Sequence, residues 1–288
     1  MSYVVFDFGG TKTRVARSAD LVTLDEVTSF TTPPSFAAAM KRFVEAIESL
    51  GVTEVAGVAV GIRGVINETR TGIDNDNVLT GWAGKSIADA VHARFPNVPF
   101  VLENDTAVAG LGEAHFGAGK GYPIVAYHTI STGVGGVRIE AGQIDAASFG
   151  FEPGHQLLDI DRTILGDEVT PTLENLVSGT AVGERYQMAA YEIPQTDAIW
   201  DELAEYLGYG LRNTILYWSP DVIVLGGAMI TGDPAIPVPA IRKYTVAALD
   251  GFVPAPLITE ATLGDAMGLY GGLVLLTQAQ ERYSGSTT

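Results

Sequence analysis

Apolar and polar residues follow two periods in the first half of the chain. Short apolar runs bounded by turn residues, such as 3–6, are typical of strands. From Ser35 onward the apolar residues recur every three or four positions until Gly51, which predicts a helix capped by the serine and ended by the glycine. The predicted order is βββαβαβ, with strands at 3–6, 13–17, 24–30, 55–60 and 98–102 and helices at 36–50 and 87–95.

The second half repeats this plan. Each half opens with a hairpin around a Gly-rich turn and continues with alternating strands and helices. This repetition predicts an α/β protein of two lobes that face one cleft. In the second half we expect strands at 124–130, 137–140, 143–147, 222–225 and 257–262 and helices at 179–190, 198–217, 240–249 and 268–280.

Composition fits a folded protein with a core in each lobe. The chain has 288 residues, of which 47% are hydrophobic and 18% are charged. Its apolar runs are far shorter than the ~20 residues of a membrane span, and the N-terminus lacks the pattern of a signal peptide. We therefore expect a cytoplasmic protein with no membrane partner.

Charge and cysteine content restrict the chemistry. The net charge is -17, and the 17 Lys and Arg residues are spread along the chain, which argues against a nucleic-acid partner. The sequence contains no cysteine, so it excludes disulfides, a thiol nucleophile and any zinc site that depends on thiolates. An anionic cosubstrate would have to be held by backbone amides and a metal ion.

A strand-to-helix corner carries the first candidate for catalysis. The apolar run at 98–102 leads through Glu103-Asn104-Asp105 into a helix predicted at 106–114. Regular structure on both sides fixes the backbone of Asp105, and the helix N-terminus favours its charge, so Asp105 is a candidate catalytic base. The alternative is that Asn104 and Asp105 only cap the helix, which is the commoner role of these residue types.

Two Gly-rich turns join hairpin strands, one in each half. In the turn Asp7-Phe8-Gly9-Gly10-Thr11-Lys12 the glycines let the main chain bend so that amides face a phosphate, and Asp7 can reach a magnesium ion directly or through water. The turn at 131–136 offers the same chemistry. The alternative is a plain hairpin, because Gly-Gly pairs are common there. Two matched turns favour a nucleotide.

Three further groups lie in the second half. Gly226-Gly227 follows a buried strand, where open α/β sheets bind ligands, although a glycine pair is also an ordinary way to end a strand. Glu152 and His155 flank a Pro-Gly pair, and Glu174 is a further acid. Carboxylates and a neutral imidazole can bind sugar hydroxyls or hold a metal ion. The alternative for these side chains is a solvated surface.

Together these segments resemble the ROK family of sugar kinases and repressors over nearly the whole chain. The matching segments are DFGGTK at 7–12, END at 103–105, GE at 112–113, TGVGG at 132–136, EPGH at 152–155, LE at 173–174, SGT at 178–180, PDVIVLGG at 220–227 and LGD at 263–265. The resemblance implies a two-lobed actin-like, ribonuclease-H-like ATPase fold with an interdomain cleft. It also implies ATP-dependent phosphorylation of a hexose or N-acyl amino sugar at the 6-hydroxyl.

The resemblance also assigns roles to residues. Asp105 takes the role of catalytic base, and the sugar contacts are Asn77, Asn104, Asp105, Glu152, His155 and Glu174. The ATP contacts are Asp7, Gly9, Gly10, Thr11, Lys12, Thr132, Gly133, Gly226 and Gly227, with Asp7 also serving Mg²⁺. The implied domains are a small lobe over 1–117 that is joined by a helix at 268–282 and a large lobe over 118–267. Members of the family are commonly homo-oligomers, so a dimer is expected.

Two departures from the family pattern concern the sugar site. Many members carry a cysteine-rich zinc segment after the Glu-x-Gly-His motif, whereas 157–172 contains no cysteine. No structural zinc is therefore expected, His155 is left to serve the sugar, and packing must order the loop. Phe151 stands where a glycine often precedes the glutamate, which leaves the identity of the sugar open. The alternative function is a catalytically silent sugar-binding or sensor protein.

Overall fold

The structure is a computed structural model that describes residues 1–76 and 78–285. Asn77, one of the expected sugar contacts, lies outside the described residues. The chain divides into two compact units, one made of Met1–Gly112 with the segment that begins at Asp265, the other of Glu113–Gly264. Within the described ranges, no helix combines the length and the apolar character needed to cross a membrane.

The predicted strands and helices occur in the predicted order with ends shifted by a few residues, and the structure adds short elements between them. The strands are β1 (Ser2–Phe8), β2 (Lys12–Ser18), β3 (Glu26–Thr31), β4 (Val55–Ile62), β5 (Val65–Ile66), β6 (Gly72–Asn75), β7 (Lys85–Ser86), β8 (Phe100–Asn104), β9 (Ile124–Ile130), β10 (Val134–Glu140), β11 (Gln143–Ile144), β12 (Val222–Gly226) and β13 (Leu257–Glu260). The helices are α1 (Phe36–Ser49), α2 (Ile87–Arg94), α3 (Asp105–His115), α4 (Leu173–Val177), α5 (Gly179–Tyr186), α6 (Ile199–Trp218), α7 (Ala228–Thr231), α8 (Val238–Leu249) and α9 (Met267–Gly285).

The first unit is centred on a five-stranded sheet of order β3-β2-β1-β4-β8. The pairs β1–β2 and β2–β3 are antiparallel, whereas β4 runs parallel to both β1 and β8. Phe6 and Phe8 of β1 stack with Phe43 of α1, and Trp82 meets Phe8 edge-on. These rings are almost fully buried, so an aromatic core fixes α1 on the sheet.

The polar stretch between β4 and α2 is expected to be irregular, but it contains a small sheet of order β5-β6-β7. Each strand spans only two to four residues, too few to give a readable alternation of apolar and polar positions. The side-chain oxygen of Asn67 accepts hydrogen bonds from the amides of Thr71, at 2.9 Å, and Gly72, at 3.3 Å. Local side-chain hydrogen bonds therefore shape this segment, and they leave no periodic signature.

The C-terminal helix α9 packs tightly within the first unit. A Cβ atom on Gly271 would overlap the backbone of Val108 in α3, and one on Gly57 of β4 would lie 3.0 Å from the side chain of Leu276. The glycines therefore permit a backbone approach that larger residues would prevent.

The second unit is centred on a sheet of order β11-β10-β9-β12-β13, in which β9, β12 and β13 are parallel. Its main core helix is α6, whose buried residues include Trp200, Leu203, Leu207 and Leu211. These residues recur every three or four positions, as the sequence predicts. The buried carboxylate of Glu113 accepts hydrogen bonds from several loop amides, those of Ala118 at 2.8 Å, Thr262 at 2.9 Å and Leu263 at 2.8 Å.

Candidate active site

Three parallel strands of the first unit end side by side. Phe8 of β1 lies opposite Ile62 of β4, and Ile62 lies opposite Asn104 of β8. The residues that follow these three strands open the first Gly-rich turn, a turn at Arg63, and helix α3 at Asp105. Open α/β sheets bind ligands outside the carboxyl ends of their strands. The fold therefore brings the first turn and the candidate base to one such edge.

The first Gly-rich turn is a tight hairpin connection. The amide of Gly9 donates to the carbonyl of Lys12 at 3.1 Å, and a Cβ atom on Gly9 would lie 2.8 Å from that oxygen. The hydroxyl of Thr32 donates to the Gly9 carbonyl at 2.8 Å. The Gly9 amide is thus used within the turn, while Thr11 and Lys12 are exposed to solvent. The turn is therefore an ordinary hairpin that still leaves Thr11 and Lys12 exposed, as a phosphate-binding turn would require.

Asp7 lies near the end of β1 with a mostly buried carboxylate, whose side chain is 18% exposed. Burial raises the pKa of Asp7 to about 6, the negative charge of Asp105 adds to the rise, and Arg14 opposes it. The Arg14 Nη1 atom is 3.5 Å from Asp7 Oδ2. Asp7 and Asp105 therefore lie close enough to repel each other, and a bound cation would relieve that repulsion.

Asn104 and Asp105 both accept hydrogen bonds from amides at the start of α3. The Asn104 side-chain oxygen caps α3 by accepting hydrogen bonds from the amides of Thr106, at 3.0 Å, and Ala107, at 3.3 Å. Asp105 Oδ1 also accepts from Thr106, at 2.8 Å. Burial raises the pKa of Asp105 above its usual value, while this hydrogen bond and the charge of Arg63 oppose the rise. A carboxylate with a raised pKa is a better proton acceptor.

Arg63 is a charged residue at this edge that sequence reasoning missed. Its Nε atom lies 3.0 Å from each carboxylate oxygen of Asp76. Gly64 has a φ of +100°, and a Cβ atom there would lie 2.7 Å from the carbonyl of Asn75, so a glycine is required for the turn that presents Arg63. The feature that could have indicated a role for Arg63 is its position directly after β4, beside the ends of two parallel strands.

Magnesium bound with a nucleotide fits these residues. No group of three or more His, Asp or Glu side chains arranged to hold a metal occurs in the described part of the chain. Mg²⁺ that binds through substrate phosphates needs only one or two protein carboxylates. Asp7 supplies one beside the Gly-rich turn, where burial and, to a smaller degree, the charge of Asp105 raise its pKa.

In the second unit, the second Gly-rich turn and the glycine pair meet at one sheet edge. Thr129 of β9 lies opposite Gly226 of β12. Gly227 has a φ of +88°, and a Cβ atom on it would overlap the backbone of Ile130. The amide of Ser131 donates to the carbonyl of Gly133 at 2.8 Å, which closes the turn. The structure thus brings 131–133 and 226–227 together.

The Glu-x-Gly-His segment packs directly against β10. Residues Pro153–His155 form a short 3-10 helix. A Cβ atom on Gly154 would overlap the carbonyl of Val134, and one on Gly136 would lie 2.6 Å from the ring of Pro153. The segment is therefore fixed on the strand that follows the second turn, and both Glu152 and His155 are exposed.

Glu174 lies beside the second Gly-rich turn. It lies in the first turn of α4, whose N-cap is Thr172. Its Oε2 atom accepts a hydrogen bond from the amide of Val134 at 2.7 Å, and a Cβ atom on Gly133 would lie 2.7 Å from that oxygen. An expected sugar contact is therefore attached to the expected nucleotide turn.

The loop at 157–172 packs against the core of the second unit through Leu158 and Leu165, and hydrogen bonds also order it. Asp159 is 2% exposed and accepts from the amides of Ile164, at 3.2 Å, and Leu165, at 2.7 Å. Arg162 Nη1 donates to the carbonyl of Val169 at 2.6 Å. One buried carboxylate and one guanidinium therefore add to the packing that holds this polar loop without cysteine.

Phe151 packs within an aromatic stack of the second unit. Its ring meets Trp218 edge-on at 5.0 Å, and Trp218 stacks on His128 at 5.3 Å. Burial lowers the pKa of His128 to about 4, so its ring is neutral at physiological pH. The stack anchors the residue that directly precedes Glu152.

Comparison with known proteins agrees with this fold. The profile described as the ROK family matches residues 3–279. A fructokinase of Pediococcus pentosaceus is 27% identical, over 94% of this chain and 96% of its own. A solved ROK hexokinase from Thermus thermophilus is 25% identical with a TM-score of 0.80, over 98% of this chain and 100% of its own. A ROK family glucokinase from Streptomyces griseus, solved with glucose and AMPPNP, is 24% identical with a TM-score of 0.75, over 96% and 99%. The chain therefore belongs to the ROK family and has the actin-like ATPase fold.

Proposed function

We propose that this protein transfers the γ-phosphoryl group of ATP to the 6-hydroxyl of a hexose or N-acyl amino sugar, with Asp105 as general base. The chain is an enzyme of the sugar-kinase class, in keeping with its family and with the names of its relatives. The observation that carries the proposal is the shared sheet edge of the first unit, where Asp105 follows β8 and the first Gly-rich turn follows β1.

The environment of Asp105 suits a base. Burial raises the pKa of its carboxyl, so the carboxylate accepts a proton more readily than an exposed aspartate. In the proposed reaction the sugar oxygen forms a bond to the γ-phosphorus, the bond from that phosphorus to the bridging oxygen of ADP breaks, and Asp105 takes the hydroxyl proton. Positioning supplies much of the acceleration in such loose transfers.

Residues of both units are the proposed nucleotide contacts. In the first unit these are Asp7 and the turn residues Gly9, Gly10, Thr11 and Lys12. In the second unit they are Thr132, Gly133, Gly226 and Gly227. Bound Mg²⁺ supplies charge neutralisation at the phosphates. Asp7 is its proposed protein partner, and the exposed Lys12 adds a positive charge to the turn.

The proposed sugar contacts combine donors and acceptors. Glu152 and His155 are exposed on the segment that packs against β10. Glu174 presents a carboxylate held by the Val134 amide. Asn104 has a side-chain oxygen that caps α3. Such groups match a ring with several hydroxyls better than a single alcohol, and Asn77 stays a prediction.

A sugar panel tests the function. Purified protein with ATP and Mg²⁺ is assayed for ADP release against glucose, fructose, mannose, N-acetylglucosamine and N-acetylmannosamine, and the product is located by phosphorus NMR. Each active sugar is compared with its 6-deoxy analogue, which we expect to bind without reaction. Saturable sugar binding without ADP release from any sugar would contradict the proposal and favour a sugar-binding sensor. The panel is then repeated with other phosphoryl donors.

A further inference from the structure

We propose that Arg63 is a catalytic residue whose guanidinium contacts the phosphoryl group as it passes from the nucleotide to the sugar. This inference rests on the proposed function. It adds a residue that belongs to none of the matching segments, because Arg63 lies in the turn after β4. The residues concerned all lie in the first unit.

The guanidinium lies against the first Gly-rich turn. A Cβ atom on Gly10 would lie 2.9 Å from Arg63 Nη1 and 3.5 Å from its Cδ. The absence of a side chain at Gly10 therefore leaves the space that Arg63 occupies. A group bound at Gly10 would therefore lie near the Arg63 guanidinium.

The same cation acts on Asp105. The charge of Arg63 lowers the pKa of Asp105 more than the charge of Asp76 raises it. The net effect of the Arg63–Asp76 pair on Asp105 is therefore that of a positive charge. The register explains the placement, since Ile62 lies between Phe8 and Asn104 in the sheet. Arg63 thus lies at the edge that carries both the turn and the base.

Asp76 holds the guanidinium in one orientation. Both its carboxylate oxygens lie 3.0 Å from Arg63 Nε, and Asp76 Oδ2 also accepts from the amide of Leu79 at 2.6 Å. The Asp76 side chain is 4% exposed, whereas that of Arg63 is 29% exposed. The buried Asp76 carboxylate fixes the stem of Arg63, while the Arg63 side chain stays partly exposed to solvent.

A guanidinium at the position of Arg63 suits the chemistry of phosphoryl transfer. Negative charge spreads over three equatorial oxygens during phosphoryl transfer, and a planar guanidinium with several donors is suited to such a group. A hydrogen-bond donor that is fixed before the reaction stabilises the transition state more than a mobile one does, because it needs no reorganisation. A purely structural ion pair would not require the fork to reach the Gly-rich turn.

The test compares Arg63→Gln with a matched control, Arg17→Gln. Arg17 also lies in the first unit, its side chain is 31% exposed, and it pairs with Asp25 at 3.8 Å, well outside the proposed machinery. Dissociation constants for AMPPNP and ADP are measured by calorimetry with Mg²⁺. We expect Arg63→Gln to weaken AMPPNP binding about tenfold while ADP binding changes less than about twofold. Arg17→Gln should change neither.

Turnover gives the second readout. With an active sugar, Arg63→Gln should lower kcat at least about a hundredfold, and Arg63→Lys should lose less because it keeps the charge without the fork. Equal weakening of AMPPNP and ADP, or a kcat within about threefold of wild type, would overturn the proposal. Weaker sugar binding with unchanged AMPPNP binding would also overturn it.

Two controls separate possible failures. Circular dichroism establishes that each variant is folded, and Arg63→Lys carries the binding comparison if Arg63→Gln does not fold. If the wild-type protein phosphorylates no sugar, the proposed function fails, while the comparison of AMPPNP with ADP still decides whether Arg63 contacts the terminal phosphate.

Discussion

The carboxylate of Glu174 accepts a hydrogen bond from the amide of Val134 at 2.7 Å. Val134 begins β10 directly after the second Gly-rich turn, and the same carboxylate oxygen lies over Gly133. One side chain therefore links the proposed sugar contacts of the second unit to its proposed nucleotide turn. A change at Glu174 should affect both substrates.

Glu174→Ala tests this link. Loss of a charge-assisted hydrogen bond to the turn should raise KM for ATP about tenfold, together with KM for the sugar. Glu174→Gln keeps an oxygen that accepts from Val134, so its effect on KM for ATP should be smaller. Steady-state kinetics with each substrate varied in turn make the measurement. A rise in KM for the sugar alone would show that the hydrogen bond does not shape the nucleotide turn.

Asp7→Asn should stabilise the protein in the absence of nucleotide and metal. The pKa of Asp7 is about 6 in the fold and 3.8 ordinarily. A carboxyl whose pKa rises on folding costs stability above the folded pKa, and the cost vanishes below the unfolded pKa. Removing the charge should therefore increase the free energy of unfolding at pH 8, by at most about 3 kcal/mol, and less at pH 4.5.

The control for Asp7→Asn is Asp25→Asn. Asp25 lies in the same unit and pairs with Arg17 at 3.8 Å, so its loss should not stabilise the fold. Urea unfolding of both variants at the two pH values decides. An Asp7→Asn variant that is no more stable than wild type at pH 8 would contradict the electrostatic account, and the same variant should lose its stabilisation by Mg²⁺ with ATP.

Asp159→Ala tests how the loop at 157–172 is held. Removing this buried carboxylate leaves the amides of Ile164 and Leu165 without their acceptor, which should cost about 1–3 kcal/mol of stability. Because the loop follows His155, KM for the sugar should rise as well. Asp161→Ala is the control, since Asp161 is exposed and accepts from the Thr163 hydroxyl at 3.1 Å. Equal effects of the two changes would contradict a special role for Asp159.

Periodicity predicts the long elements because their burial is periodic. Helix α6 buries Leu203, Leu207 and Leu211 on one face, and this spacing is visible in the sequence. The two-residue strands β5 and β7 contain no period to read. These two strands form through local hydrogen bonds and through pairing with β6, which lies between them.

The candidate site shows the same difference between features visible in the local sequence and features that depend on the fold. Asp105 was visible because a strand, a polar corner and a helix follow one another in the sequence. Arg63 was not, because its proposed role depends on the register that places β4 between β1 and β8. Asp159 was also missed, since an aspartate in a polar loop is typical of a solvated surface, and only the fold shows that it is buried.

The role of Asp105 as general base is tested by comparing kcat of Asp105→Asn with that of wild type on an active sugar. Asp89→Asn is the control, because Asp89 also lies in the first turn of a helix of the first unit and is exposed. We expect Asp105→Asn to lower kcat at least about a hundredfold with little loss of sugar affinity, and Asp89→Asn to leave kcat unchanged. A near-normal kcat for a correctly folded Asp105→Asn variant would contradict this role.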